Sequence, residues 1–155
     1  MYSQYSLAAI ASNYPLVMAF CAWFLAQVIK FVLTLIVCRE NLTAKTILSS
    51  GGMPSSHTAT VCALSTSVGI LEGLASPLFA ACCVLSFIVM YDAMGVRRSA
   101  GEQAQTLNQI IRHLIDQNQS PIDTTVREIF GHTPFQVVVG AIIGIALPLI
   151  FRFAF

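Results

Sequence analysis

Two segments of the chain, Gly51-Gly52-Met53-Pro54-Ser55-Ser56-His57 and Gly131-His132-Thr133-Pro134, each set a histidine beside a proline able to open a helix. The first turn of a helix carries backbone N–H groups without intrahelical acceptors, at the positive end of the helix dipole, so it attracts anions such as phosphate. With Pro54 at the first helical position, the amides of Ser55 and Ser56 are expected to point outward beside their own hydroxyls, forming an anion cradle. His57 then stands one turn in, where it can give a proton to an alkoxide leaving phosphorus. His132, just ahead of the Thr133-Pro134 helix start, is placed to act as a nucleophile toward a phosphate held between the two helix ends. Each histidine also has a plainer reading, His57 as a solvated cap residue and His132 as a structural interface residue.

A transferring phosphoryl group spreads negative charge over its oxygens and needs fixed cations. Lys30, Arg97 and Arg98 are the candidates. Lys30 lies well inside an apolar stretch, where an ionisable group is costly unless it snorkels to the surface or faces a polar cavity. Arg97 and Arg98 can equally anchor lipid headgroups. Asp92, just before those arginines, can pair with one of them or hold a catalytic imidazole in one tautomer.

The surroundings of these residues are apolar. Of 155 residues, 56% are hydrophobic and only 10% charged, with a mean hydropathy of +0.76, where a soluble domain carries roughly 25% charged residues. The chain is therefore expected to be one membrane-embedded domain over residues 1–155. A net charge of +1 provides no basic field for nucleic acid, which is set aside as a partner. The five cysteines, at 21, 38, 62, 82 and 83, lack metal or redox spacing and read as small buried hydrophobes. Residues 1–13 carry no positive charge or long apolar core, so the first hydrophobic segment is expected to stay in the mature protein.

A helix needs about 20 apolar residues to span a bilayer. Four stretches come close: Pro15 to Cys38, Pro54 to Leu71, Pro77 to about Met94, and Pro134 to Phe155. Small residues at four-residue spacing, Ala59, Ala63 and Ser67 on the second and Gly140 and Gly144 on the fourth, predict close helix packing in lipid. The expected fold is all-α, an integral membrane bundle of about four transmembrane helices plus one amphipathic helix at the interface. That extra helix falls between the third and fourth spans, with Ser99 and Glu102 at capping-box spacing and Leu107, Ile110, Ile111, Leu114 and Ile115 on one face. A loop over residues 117–121 and a short helix capped by Thr125 and Glu128 should follow.

Charge orients the bundle, because arginine and lysine in short loops favour the cytoplasmic side. Arg39 and Lys45 occupy the first loop and Arg97, Arg98, Arg112 and Arg127 the third, while the second has none. Both histidine segments are therefore expected on the cytoplasmic face. Arg152 dissents, and residues 1–14 leave room for a fifth span.

Five segments together resemble the type 2 phosphatidic acid phosphatase (PAP2) superfamily, and most closely its small divergent branch. They are Ala26-Gln27-Val28-Ile29-Lys30, the Gly51 to His57 segment, Val89-Met90-Tyr91-Asp92-Ala93-Met94-Gly95-Val96-Arg97-Arg98, Gly101-Glu102-Gln103-Ala104, and Gly131-His132-Thr133-Pro134, in that order. The resemblance implies a metal-independent lipid phosphatase that acts through a phosphohistidine. It makes Lys30 the first-motif lysine, Ser55 and His57 the second-motif serine and acid, and His132 the nucleophile. The expected substrate is a lipid phosphomonoester or diphosphate, such as phosphatidate, phosphatidylglycerophosphate or an isoprenyl diphosphate, with Ser56, Arg97 and Arg98 as further phosphate contacts.

The sequence departs from the superfamily in the first motif, whose usual arginine-proline pair is absent although Arg39 follows Lys30 at a nearby spacing, and at two later positions. The usual aspartate four residues after the nucleophile is Gln136, left as an orienting residue, and the usual arginine six residues before it is Val126, with Arg127 one place out of step. Glutamine can fix a histidine tautomer but cannot neutralise an imidazolium, which weakens the acid–base contribution of roughly 10²- to 10⁴-fold. A catalytically inactive membrane scaffold or regulator that binds phospholipid or phosphate is therefore the alternative. A small transporter is a third reading, weaker because four spans leave little room for a solvated path unless the chain forms a homo-oligomer. No cofactor is expected. A metal held by His57, His113 and His132 would lack a carboxylate pair, and His113 falls on the polar side of its helix.

Overall fold

A computed structural model of the chain describes residues 7–37, 52–116 and 131–152. Its helices are α1 (Leu7–Ala11), α2 (Tyr14–Val37), α3 (Ser56–Glu72), α4 (Pro77–Met94), α5 (Val96–Asp116) and α6 (Pro134–Phe151), with no strand among the described residues. The expectations for Cys38, Arg39, Lys45, the 117–121 loop, the Thr125/Glu128 cap, Val126 and Arg127 fall outside the described residues.

Local sequence sets the helix starts. Asn13 Oδ1 accepts the Leu16 N–H at 3.1 Å, placing Pro15 in the first turn of α2. Ser76 caps α4, with Pro77 at the helix start. Thr133 and Gln136 form a reciprocal capping box at the start of α6, with Pro134 following the cap. Two expected starts are corrected. Helix α5 begins at Val96, and the Ser99 N–H already donates to Gly95 O at 3.0 Å, so Ser99 lies inside the helix rather than capping it. Helix α3 begins at Ser56 with Ser55 as its cap, so Pro54 belongs to the preceding turn. The fifth span is also corrected, because α1 has five residues and turns directly into α2.

Helices α2 and α6, and α4 together with α5, are long and apolar enough to cross a membrane. At 17 residues, α3 reaches only about 26 Å, and it runs between α2, α4 and α6. Its position explains its composition. The other three helices turn large apolar side chains outward, Phe20 and Phe24, Phe87 and Ile88, Ile142 and Ile150. By contrast α3 buries Ser56, Thr58, Ala59, Cys62, Ala63, Ser65, Ser67 and Val68. Several of the α3 hydroxyls have acceptors: the Thr58 hydroxyl donates to Ser55 Oγ at 3.0 Å and Thr60 to Ser56 O at 2.7 Å. Ser65 Oγ lies 2.7 Å from Ser86 Oγ, and the pair share the carbonyls of Val61 and Cys82 at 2.9–3.0 Å, tying α3 to α4.

Small residues bring the backbones together on both flanks of α3. Ala22 and Ala26 of α2 form a buried cluster with Ala59 and Ala63. On the other flank, Gly140 and Gly144 of α6 lie directly against the α3 backbone. Cys62 and Cys82 are buried as expected, whereas Cys21 and Cys83 are exposed on the outer surface.

Backbone bonds fix the directions of the helices. The Ser55 N–H donates to Gln136 O and the His132 N–H to Ala93 O, both at 3.1 Å, so the starts of α3 and α6 meet the end of α4. At the opposite end the Tyr14 hydroxyl donates to Pro148 O at 2.6 Å, joining the start of α2 to the last turn of α6. Tyr14→Phe removes this one buried bond and is expected to cost about 1 kcal/mol, read as a lowered unfolding temperature in detergent with no change in oligomeric state.

Helix α5 carries Leu107 and Ile110 on its exposed side and Gly101, Ala104 and Asn108 on its buried side. Of the apolar stripe legible in the sequence, Leu107 and Ile110 therefore face away from the protein, the orientation that suits a helix lying in a bilayer surface.

Candidate active site

The expected site residues with described positions gather at one end of the bundle. Lys30 sits in the last third of α2 and is buried, with 6% exposure. Above it, Gly52 adopts φ +99°, and a Cβ there would stand 3.1 Å from Lys30 Cε. The stem of Lys30 therefore packs beneath the Gly52 turn, where the positive φ favours glycine and an added side chain would press on the lysine stem. Gly52 and the lysine, far apart in sequence, are packed together.

Ser55 is fully buried and acts as a strut rather than an open anion ligand. Its N–H is taken by Gln136 O, while its Oγ accepts the Thr58 N–H at 3.4 Å and the Thr58 hydroxyl at 3.0 Å. The expected cradle of two outward amides is corrected accordingly: moving the helix start from Pro54 to Ser56 turns the Ser55 amide into a capping position that binds α6. Ser56, the first residue of α3, is buried at the same level, and His57 beside it is exposed.

His132 is held from two directions. Its N–H donates to Ala93 O, and its ring Nδ1 lies 3.1 Å from Gln136 Oε1. Gln136 Oε1 also accepts the Thr133 N–H at 3.1 Å. A backbone N–H can only donate, so this bond assigns the oxygen end of the amide, and His132 Nδ1 must carry the proton. Nε2 is then the basic nitrogen. The ring is 3% exposed, so its orientation is fixed by the helix cap and by packing together.

Asp92 is partly buried in the last turn of α4, directly before the Ala93 carbonyl that holds His132. The Nδ1 side of His132 faces the Gln136 amide oxygen, which orients the ring on that side. Arg97 and Arg98 lie in the first turn of α5, after the break at Gly95, and their side chains are outside the described residues.

A family model described as "Divergent PAP2 family" matches residues 11–147, and so spans every one of these positions. The chain belongs to the divergent PAP2 family. A Bacillus subtilis (strain 168) protein named "Uncharacterized membrane protein YuiD" is 39% identical over 156 residues, covering 94% of this chain and 98% of the relative. No solved structure matches the chain. This divergent PAP2 protein is thus a multi-helix membrane protein.

Sequence reasoning missed two contributors to this candidate site. Thr58 was legible only as part of a small polar helix, yet its hydroxyl and N–H both close on Ser55. The Ala93 carbonyl gives no signal, because backbone acceptors have no residue type.

Proposed function

We propose that this protein is an integral membrane phosphatase that removes a phosphomonoester or diphosphate group from a lipid through a phosphohistidine intermediate. The observation that carries the reading is His132: a buried imidazole, protonated at Nδ1 by its contact with Gln136, at the bundle end that also holds Lys30 beneath the Gly52 turn. In this reading His132 Nε2 attacks phosphorus and the bond to the lipid oxygen breaks. His57 gives its proton to the departing alkoxide, and water then cleaves the P–N bond to release phosphate. Lys30, Arg97 and Arg98 offset the charge on the phosphoryl oxygens, with Ser56 at the start of α3. Asp92 supports the charged state of the histidines from the end of α4.

Membrane geometry supports a lipid substrate. The site residues sit where helices end, at headgroup depth, and α5 turns Leu107 and Ile110 toward the bilayer surface beside them. Arg97 and Arg98 follow the end of α4 at this end, which favours its placement on the cytoplasmic side.

Gln136 supports a second reading. An amide on Nδ1 fixes the ring without a carboxylate to neutralise an imidazolium, which suits a protein that binds phospholipid headgroups as a scaffold or regulator. One experiment separates the two: purified protein in detergent is given a panel of phosphatidate, phosphatidylglycerophosphate and isoprenyl diphosphates, with and without chelator. Release of inorganic phosphate from at least one of them, unchanged by chelator, is expected. Binding of phosphate or vanadate without hydrolysis of any lipid on the panel overturns the enzyme and favours the scaffold.

A further inference from the structure

At the end of the bundle remote from His132, the start of α2, the end of α3, the start of α4 and the end of α6 surround a cleft of about 520 Å³. That is within the range of roughly 300–1,000 Å³ typical of small-molecule sites. Its walls include exposed Leu71 and Leu78, and its polar lining includes Ser12, Asn13, Glu72 and Arg152, all exposed. An apolar wall topped by charges at the depth where spans end is the profile a lipid presents, acyl chains below and headgroup above.

We infer that this cleft binds the headgroup of a membrane lipid carrying both a phosphate and a primary amine, of the phosphatidylethanolamine class. Arg152 contacts the phosphate and Glu72 the ammonium. The inference is independent of the proposed hydrolysis, which occupies the other end of the molecule.

Three observations carry it. Among the described residues, Arg152 is the basic residue at the end of the bundle where the distribution of loop charge predicts none, so topology does not account for it. Glu72 brings the opposite charge into the same cleft, and an anionic lipid without an amine would be repelled by it. A quaternary amine is usually recognised by open aromatic faces. The aromatic ring in this lining, Tyr14, is buried with its hydroxyl on Pro148 O, so a primary ammonium on Glu72 fits better than a choline.

The test uses the full chain in detergent micelles doped with equal amounts of phosphatidylethanolamine, phosphatidylglycerol and phosphatidylcholine, with retained lipid read by native mass spectrometry. Phosphatidylethanolamine is expected to be retained in preference to the other two. Glu72→Gln should lower its retention about three- to fivefold while leaving phosphatidylglycerol unreduced, and Arg152→Ala should lower retention of every phospholipid by a similar factor, the size expected of single exposed charge contacts. Both side chains are exposed, and size-exclusion profiles identical to the parent confirm that the variants remain folded. Equal retention of the three lipids by the parent protein, a preference for phosphatidylglycerol, or a phosphatidylethanolamine preference unchanged in both variants each overturns the assignment.

Discussion

His132→Ala is expected to lower the rate of phosphate release by about 10⁴-fold or more, since the proposed covalent step runs through its Nε2 and removal of a nucleophile that works in concert with its partners costs on this scale. The substitution is well chosen because the scaffold around it is separable from the ring. The bond from the His132 N–H to Ala93 O is made by backbone, and the Thr133 N–H keeps Gln136 Oε1 as its acceptor. Helix α6 should therefore still start at Pro134, and the unfolding temperature should stay close to the parent value. A second readout addresses the intermediate itself. Brief incubation with labelled substrate followed by denaturation should trap an acid-labile, base-stable phosphoprotein in the parent and none in His132→Ala. Full activity in the variant, or an unchanged phosphoprotein signal, would remove His132 from the chemistry.

The dependence on Gln136 is physical as well as chemical. The same amide completes the capping box at the start of α6, orients the imidazole, and has its own backbone carbonyl bonded to Ser55 N–H. One residue thus couples the two histidine segments: the start of α3 is hung from the first turn of α6. The position where the sequence departs from the wider superfamily therefore joins the helix cap, the His132 ring and the start of α3, and a carboxylate there would keep the proton on Nδ1 while adding a negative charge beside the ring.

How far the sequence reached follows from what each feature depends on. Span locations were legible because the lipid requirement acts on composition alone: α2, α4 and α6 begin within a residue of the expected prolines. The shared end for both histidine segments was legible from an even alternation of spans. The start of α3 was not, since Pro54 has the residue type of a first helical position and only the tertiary bond between Ser55 and Gln136 pulls it into the turn. Ser99 and Glu102 misled for a related reason. Capping-box spacing also occurs inside a helix, and the break at Gly95 leaves no room for a second start three residues later. The packing of Lys30 under Gly52 joins positions 22 residues apart in the chain, and single-sequence periodicity has no access to that separation. The stripe of Ala19, Ala22 and Ala26 on α2 was readable in principle. Its 3–4 spacing matches that of Ala59 and Ala63, which it faces, and all of these side chains are buried.

Gly144→Leu is expected to prevent assembly of the bundle, and Gly144→Ala to weaken it, because this face has no space for any side chain. A Cβ at Gly144 would overlap the Ala59 carbonyl oxygen and stand 2.7 Å from Cys62 Cβ, while one at Gly140 would stand 2.5 Å from Ser55 O. The nearest of these neighbours are backbone atoms of the central helix and its cap, so relief requires moving α6 away from α3 and with it the Ser55–Gln136 bond. The sign of the alanine effect is diagnostic. In an unpacked helix Gly→Ala gains about 1 kcal/mol from propensity, whereas overpacking a tight contact costs about 1–3 kcal/mol. Gly144→Ala and Gly140→Ala should therefore lower the unfolding temperature in detergent, Gly144→Leu should yield aggregated or unfoldable protein, and the outward-facing Ile142→Leu should match the parent. Stabilisation by either alanine would show that the helices stand further apart than this packing requires, and it would loosen the link between the two histidine-bearing helix starts. A lowered unfolding temperature accompanied by a proportional loss of phosphate release, without change in lipid affinity at the remote cleft, is the combination expected if helix contact at Gly140 and Gly144 sets the geometry of the site.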